Sequence, residues 1–289
     1  MSKPRTYRIA DLSVELRDLP GMKPLPSFEP FAAENPVGAP DCSIELHAYS
    51  ANHPPVPPEA EMELVSEDIV NRLYQWNGYI VKRTAMRVGD DRCMWTLMPQ
   101  GDLTRARADV YMPEDWLDYD AYGNAFLFEK MLLAHGAVML HCSLIDWNGK
   151  GVAFTAPSQT GKSTQARLWQ QRRGARIING DRAILRALPD GVFAYGSPWA
   201  GSSELYVNAR VPLSALVVLA QAKENSTRAL THDEALRYFL IGTSLPMWDE
   251  RLLDAGLAAI ERILTDVPLY YLACTPDERA VEALEARLI

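Results

Sequence analysis

A chain of 289 residues and 32.3 kDa is long enough for one large domain or two modest ones with a real core, which excludes a disulfide-stapled miniprotein. With 48% hydrophobic and 23% charged residues it has the composition of an ordinary globular chain, neither disordered nor membrane-embedded. Its 29 Lys and Arg against 37 Asp and Glu leave a net charge of -8, so neither nucleic acid nor an anionic membrane is expected as a partner, and any basic site must be local. The opening segment MSKPRTYRIA lacks the apolar core of a signal peptide, and no stretch approaches the roughly 20 apolar residues that span a bilayer, so a cytoplasmic location is expected. The four cysteines, Cys42, Cys93, Cys142 and Cys274, lie far apart without a Cys-x-x-Cys pair, and reduced, buried thiols are the reading.

Residues 1–120 read as short strands and turns. Ile9, Leu12, Val14 and Leu16 suit an extended, partly buried segment over Tyr7 to Leu16. The proline-rich stretch Gly21 to Pro58 reads as an ordered connector or exposed loop, because its closing run His53-Pro54-Pro55-Val56-Pro57-Pro58 fits neither a helix nor a central strand. Tyr79 to Arg87 and Cys93 to Met98 flank Val88-Gly89-Asp90-Asp91 as a hairpin, and Tyr111-Met112 closes another strand. From Ala121 the pattern changes: Ala121 to His135 predicts a buried helix ending at Gly136. Strands follow at Val138 to Ile145 and Gly151 to Thr155, joined by a turn centred on Asn148-Gly149. A helix over Ser163 to Arg173, a strand over Ala175 to Ile178 and a hairpin folded at Pro189-Asp190-Gly191 come next. Leu213 to Ala220 is apolar throughout, as in a strand covered on both faces. Helices are predicted at Asp233 to Leu240, Asp249 to Leu264 and Asp277 to Leu288, with a strand at Leu269 to Cys274. The fold expected is α/β with a mixed sheet over 121–289, preceded by a β-rich accessory region over 1–120 that serves acceptor recognition.

The most informative stretch is Ala156-Pro157-Ser158-Gln159-Thr160-Gly161-Lys162-Ser163-Thr164, directly after an apolar strand and directly before a helix. A phosphate-binding P-loop needs backbone N–H groups wrapped round phosphate oxygens, a lysine reaching the β- and γ-phosphates, and a hydroxyl for Mg²⁺ at the helix start. Gly161, Lys162 and Ser163 meet those demands. Ala156 stands where the pattern has its first glycine, and is tolerable there only if its φ is negative.

The segments Leu140-His141-Cys142-Ser143, Gly151 to Thr164 and Ile177-Ile178-Asn179-Gly180-Asp181-Arg182 together resemble the HPr serine kinase/phosphorylase family, most of all its shorter, divergent bacterial members. The resemblance covers roughly Leu140 to Leu219. It implies a P-loop kinase core related to PEP carboxykinase that phosphorylates a serine hydroxyl with a nucleotide, ATP or GTP, and Mg²⁺. Where the family has two adjacent aspartates this chain has Gly180 and Asp181, and the family's Arg-Gly-Leu-Gly signature is absent, which puts HPr itself in doubt as substrate.

Phosphoryl transfer also requires a carboxylate to accept the hydroxyl proton or to hold Mg²⁺. Asp181, at the end of a short strand, is the candidate for both, with Ser163 as the second Mg²⁺ group. His141 corresponds to a family histidine near the transferred phosphate, and Ser143 either orients it or packs. Arg182 is a candidate phosphate contact. The loop Gly196 to Glu204, rich in glycine and serine around Trp199, suits a lid over substrate or nucleotide and adds Ser197 and Trp199 as candidate contacts. The leading expectation is a kinase acting on a serine-containing peptide or protein, with self-association into a homo-oligomer left open. The alternatives are a small-molecule kinase and a catalytically silent nucleotide-binding regulator.

Overall fold

The computed structural model describes residues 4–22, 25–34, 38–50, 53–85, 87–88, 92–114, 127–157, 159–243 and 245–288. The turn expected at Gly89 to Asp91, positions 121–126 of the expected helix, and Ser158 lie outside the described residues. The chain divides into two compact units, Met1–Ala134 and His135–Ile289, so the helix expected to open the second part clusters with the first.

The first unit is built on an eight-stranded sheet, ordered β1-β2-β3-β8-β7-β6-β5-β4. β1 (Arg5–Ile9) and β2 (Leu12–Arg17) pair antiparallel, because Ala10 and Asp11 take φ of 52° and 64° and turn the expected single segment back on itself. Tyr7, Ile9, Leu12, Val14 and Leu16 all face the core. The stretch read as a connector does more than connect. A short 3₁₀ turn at Pro26–Phe31 buries Phe28 and Phe31, and β3 (Cys42–Tyr49) runs parallel to its neighbours on both sides, with Cys42, Ile44 and Leu46 inward. Prolines are absent from β3 itself, so the bar on proline in a central strand does not reach it. β4 (Glu63–Glu67), β5 (Asn71–Trp76), β6 (Tyr79–Ala85) and β7 (Cys93–Pro99) form an antiparallel meander that ends on β8 (Ala106–Pro113). Helix α1 (Phe128–Ala134) buries Phe128, Met131, Leu132 and Leu133.

The second unit follows the sequence reading more closely. β9 (Ala137–Trp147) and β10 (Lys150–Thr155) join through Asn148 and Gly149, at φ of 54° and 79°. Then come α2 (Lys162–Arg173), β11 (Arg176–Asn179), β12 (Arg182–Leu188), β13 (Gly191–Tyr195) and β14 (Arg210–Gln221). The chain ends with β15 (Ser226–Ala229), α3 (His232–Gly242), α4 (Glu250–Asp266), β16 (Leu269–Cys274) and α5 (Glu278–Leu288). The sheet order is β10-β9-β12-β13-β14-β16-β15, with β11 also on β9 and β10 also on β14, so the pairings from β10 through β14 close into a circuit. β14 runs parallel to β10 and β16, and the other pairings are antiparallel, which makes the sheet mixed.

Strand β9 is long enough to serve two partners in turn. Its first half pairs with β12, setting His141 opposite Arg182, and its second half pairs with β10, setting Cys142 opposite Thr155. The midpoint of β9 thereby meets both the exit of β10 and the entry of β12. Beneath the exit of β10, α2 packs Ala166 and Trp169 against Ile145, Phe154 and Val217, and α5 adds Val281 and Leu284. Trp169 is fully buried, with the Trp147 ring edge-on at 5.0 Å. Removing it leaves a large void under α2, and Trp169→Ala is expected to cost about 3–5 kcal/mol in urea denaturation. A loss below about 1 kcal/mol, typical of a surface substitution, would contradict this packing account.

Candidate functional site

Between the end of β10 and the start of α2 the described chain turns through Ala156, Pro157 and residues 159–161. Gln159 and Gly161 take positive φ, 64° and 117°. A Cβ on Gly161 would meet no atom within 4 Å, so backbone conformation rather than space calls for glycine there. Ala156 is absent from the positive-φ residues and sits in the core beneath α2, which is the condition under which alanine can stand at that place. Gly161 is the N-cap of α2 and offers no side-chain cap to the helix's first N–H groups. Ser163 and Thr164 lie exposed in that first turn.

Lys162, although charged, is only 7% exposed. Its Nζ donates to the carbonyl oxygens of Ala156 at 3.0 Å and Pro157 at 3.4 Å, tying the helix start to the first carbonyls of the loop. Burial lowers the pKa of this ammonium, and the negative charge of Asp181 works against that shift. An ammonium in such a place is stabilised by an added anion.

Asp181 lies in the turn between β11 and β12. Its Oδ1 is 3.1 Å from His141 Nε2 and its Oδ2 3.6 Å from Arg182 Nε. The hydrogen bond from His141 holds its carboxyl below the ordinary value of 3.8, and the charges of His141, Arg182 and Lys162 add to that against the effect of burial. Further bonds anchor the turn to β9. Cys142 N–H donates to Asp181 O at 2.8 Å, and Ser143 Oγ donates to Gly180 O at 3.0 Å. Ser143 therefore holds the aspartate's turn rather than the histidine. Thr155 Oγ1, at the exit of β10, donates to His141 O at 3.1 Å, so loop and histidine share one strand as their frame.

A residue to which sequence reasoning gave no role organises the other side. Asn179 is fully buried, and its Oδ1 accepts from the backbone N–H of Asp181 at 2.9 Å and of Arg182 at 2.7 Å. Its Nδ2 donates to Ser197 O at 3.0 Å and Trp199 O at 3.3 Å, which locks the loop after β13 to the aspartate's turn. The available signal was an asparagine two residues before the candidate base, a spacing that favours side-chain-to-backbone bonding. Ser197, expected at phosphate or substrate, is itself fully buried and its Oγ donates to Arg182 O, so it serves this lock. Trp199 is half-buried in the same loop. Gly201 approaches the carboxylate closely, and a Cβ there would stand 2.9 Å from Asp181 Oδ2. Gly180 is held small by Ser203, whose Oγ would lie 2.0 Å from an added Cβ, so a second aspartate at that place has no room.

The structure thus brings together His141, Lys162, Asp181 and Arg182 beside the turn of residues 156–161. The backbone N–H groups and Ser163 hydroxyl at the start of α2, with Lys162, form a donor set that fits a phosphate group. The Asp181 carboxylate and Ser163 hydroxyl are oxygen ligands of the kind Mg²⁺ takes. Among the described residues, the group of metal-ligand type is elsewhere, at Glu45, His47 and Asp109 in the first unit, where Arg107 already lies 3.3 Å from Asp109. No described helix is long and apolar enough to cross a membrane.

No protein-family model matches the chain, and no curated protein does. Among solved structures, the HPr(Ser) kinase/phosphatase from Coxiella burnetii is similar at a TM-score of 0.32 and 11% identity, over 52% of this chain and 94% of that one.

Because the folded pKa of Asp181 is depressed, the hydrogen-bonded surroundings of its carboxylate contribute stability above the ordinary carboxylate range, and that contribution is lost as pH falls through the lowered value. The urea midpoint of Asp181→Asn is therefore expected to fall less than that of the unaltered protein between about pH 5 and about pH 3. An equal fall in both would contradict the pairing.

Proposed function

We propose that the second unit is a nucleotide-dependent phosphotransferase that moves the γ-phosphoryl group of a nucleoside triphosphate to a serine hydroxyl of a peptide or small protein. The observation that carries this reading is the buried Lys162 ammonium at the start of α2, with the His141–Asp181 pair beside it. A lysine kept dry next to uncapped helix N–H groups suits a phosphate, and an ionised carboxylate beside that site suits a hydroxyl that must lose its proton. When bound, the nucleotide supplies the phosphoryl group and Mg²⁺ neutralises its charge.

The chain's own residues divide the remaining work. Backbone N–H groups over residues 159–164 and the Lys162 ammonium bind phosphate oxygens, and the Ser163 hydroxyl with one carboxylate oxygen of Asp181 would hold Mg²⁺. Asp181, ionised at neutral pH, accepts the proton of the acceptor hydroxyl. His141 holds that carboxylate in place from β9, and Arg182 offsets phosphate charge. The resemblance to HPr serine kinases over roughly Leu140 to Leu219 points the same way. The missing Arg-Gly-Leu-Gly signature points away from HPr as the acceptor.

One observation favours a second reading, a nucleotide-binding regulator without turnover. Ser203 fills the space beside Gly180, which leaves the turn with a single carboxylate. The two readings part on a direct assay. Under the phosphotransferase reading Asp181→Asn keeps nucleotide affinity in calorimetry and loses about 10²–10⁴-fold in Mg²⁺-dependent ATP turnover, and Lys162→Ala loses both. Nucleotide binding by the unaltered protein, without hydrolysis or transfer to any lysate protein by mass spectrometry, would leave the regulator.

A further inference from the structure

A cavity of about 370 Å³ opens beside the turn of residues 156–161, between the first turn of α2, with Thr164 and Gln165, and the ends of β14 and β16, with Leu219, Cys274, Thr275 and Pro276. Its volume falls in the range of small-molecule pockets. The side chain that distinguishes its wall is Gln165. This residue is 2% exposed, although glutamines are mostly exposed in folded proteins. Its Nε2 donates to Cys274 Sγ at 3.4 Å, while its Oε1 is buried without a hydrogen-bond partner. Burial keeps the Cys274 thiol protonated, so the sulfur is a neutral partner for that amide. A buried amide oxygen left unpaired is costly, and the cost disappears when a donor arrives. The wall at Thr275 is braced, since Thr275 N–H donates to Asn225 Oδ1 at 3.0 Å and Asn225 Nδ2 donates to Thr275 Oγ1 at 2.7 Å. Leu219 and Pro276 add apolar surface suited to a flat ring.

We propose that this cavity takes the adenine ring of the nucleotide and that Gln165 selects it, its Oε1 accepting a hydrogen bond from the exocyclic 6-amino group. Guanine carries a carbonyl at that position and sets oxygen against oxygen, so GTP is the disfavoured donor. The inference rests on the phosphate-binding reading of the adjacent turn, whose Gln159, Thr160 and Gly161 line the cavity. A site built to satisfy one polar group rejects the analogue that cannot do so more strongly than a merely apolar pocket would.

The test is calorimetry on the full chain with the Mg²⁺ complexes of ATP, GTP, purine riboside triphosphate (ATP without its 6-amino group) and inorganic tripolyphosphate. ATP is expected to bind at least about 10-fold more tightly than GTP or the purine riboside compound. Gln165→Leu is expected to bring ATP down to their level while tripolyphosphate binding stays unchanged, which also shows the variant to be folded. Equal affinity of the unaltered protein for ATP and the purine riboside compound would overturn the role of Gln165 with the phosphate site intact. Failure of tripolyphosphate and of every nucleotide to bind would overturn the phosphate reading, and this inference with it.

Discussion

Lys162 is held at 7% exposure with its ammonium bonded to the carbonyls of Ala156 and Pro157, and the geometry around it follows from keeping one charge in that place. The bonds require the chain to double back between β10 and α2, which puts Gly161 at φ of 117° and leaves the helix start without a side-chain cap. They require a core beneath to hold α2 against β10, which Trp169, Phe154 and Ile145 supply. They also require a counter-charge nearby, because a buried ammonium without one is unfavourable. Asp181 provides part of it. On a chain of net charge -8 this placement of Lys162 and Arg182 around one carboxylate is a local exception to the acidic average.

Asn179 is the counterpart of Lys162 on the acidic side. A single carboxamide, fully buried, accepts two backbone N–H bonds from the aspartate's turn and donates to the loop that carries Ser197 and Trp199. Ser143 and the N–H of Cys142 bind the same turn to β9. The carboxylate is therefore positioned from two sides. Close packing at Gly180 and Gly201 then leaves little room for it to move.

Much of the second unit was legible in the sequence because its signals are local. Asn148-Gly149 announces the β9–β10 turn, the apolar run of β14 announces a strand covered on both faces, and Gly161-Lys162-Ser163 between strand and helix announces the loop. The first unit hides its signals. Ala10 and Asp11 turn a hairpin without the glycine that usually marks one, and β3 lies within a proline-rich stretch whose character masks the alternation of Cys42, Ile44 and Leu46. The Asn77-Gly78 turn, with φ of 44° and 78°, carries the same dipeptide as Asn148-Gly149, but the flanking β5 and β6 alternate less clearly. Site residues divide in the same manner. His141, Lys162 and Asp181 sit in segments with a recognisable pattern, and Asn179 bonds locally to the turn two and three residues on. The roles of Ser197 and Gln165 depend on contacts with residues more distant in the chain, such as Cys274 for Gln165. Nothing in the spacing of Gln165 and Cys274 encodes that meeting.

Phosphate binding by this turn is tested most directly by a crystal structure of the chain with Mg²⁺ and a non-hydrolysable ATP analogue. Phosphate oxygens are expected within hydrogen-bond distance of Lys162 Nζ and of the backbone N–H groups of Gly161, Lys162 and Ser163, with the carboxylate of Asp181 facing the γ-phosphate. Density for the analogue elsewhere in the protein, with the turn of residues 156–161 unoccupied at saturating nucleotide, would contradict it.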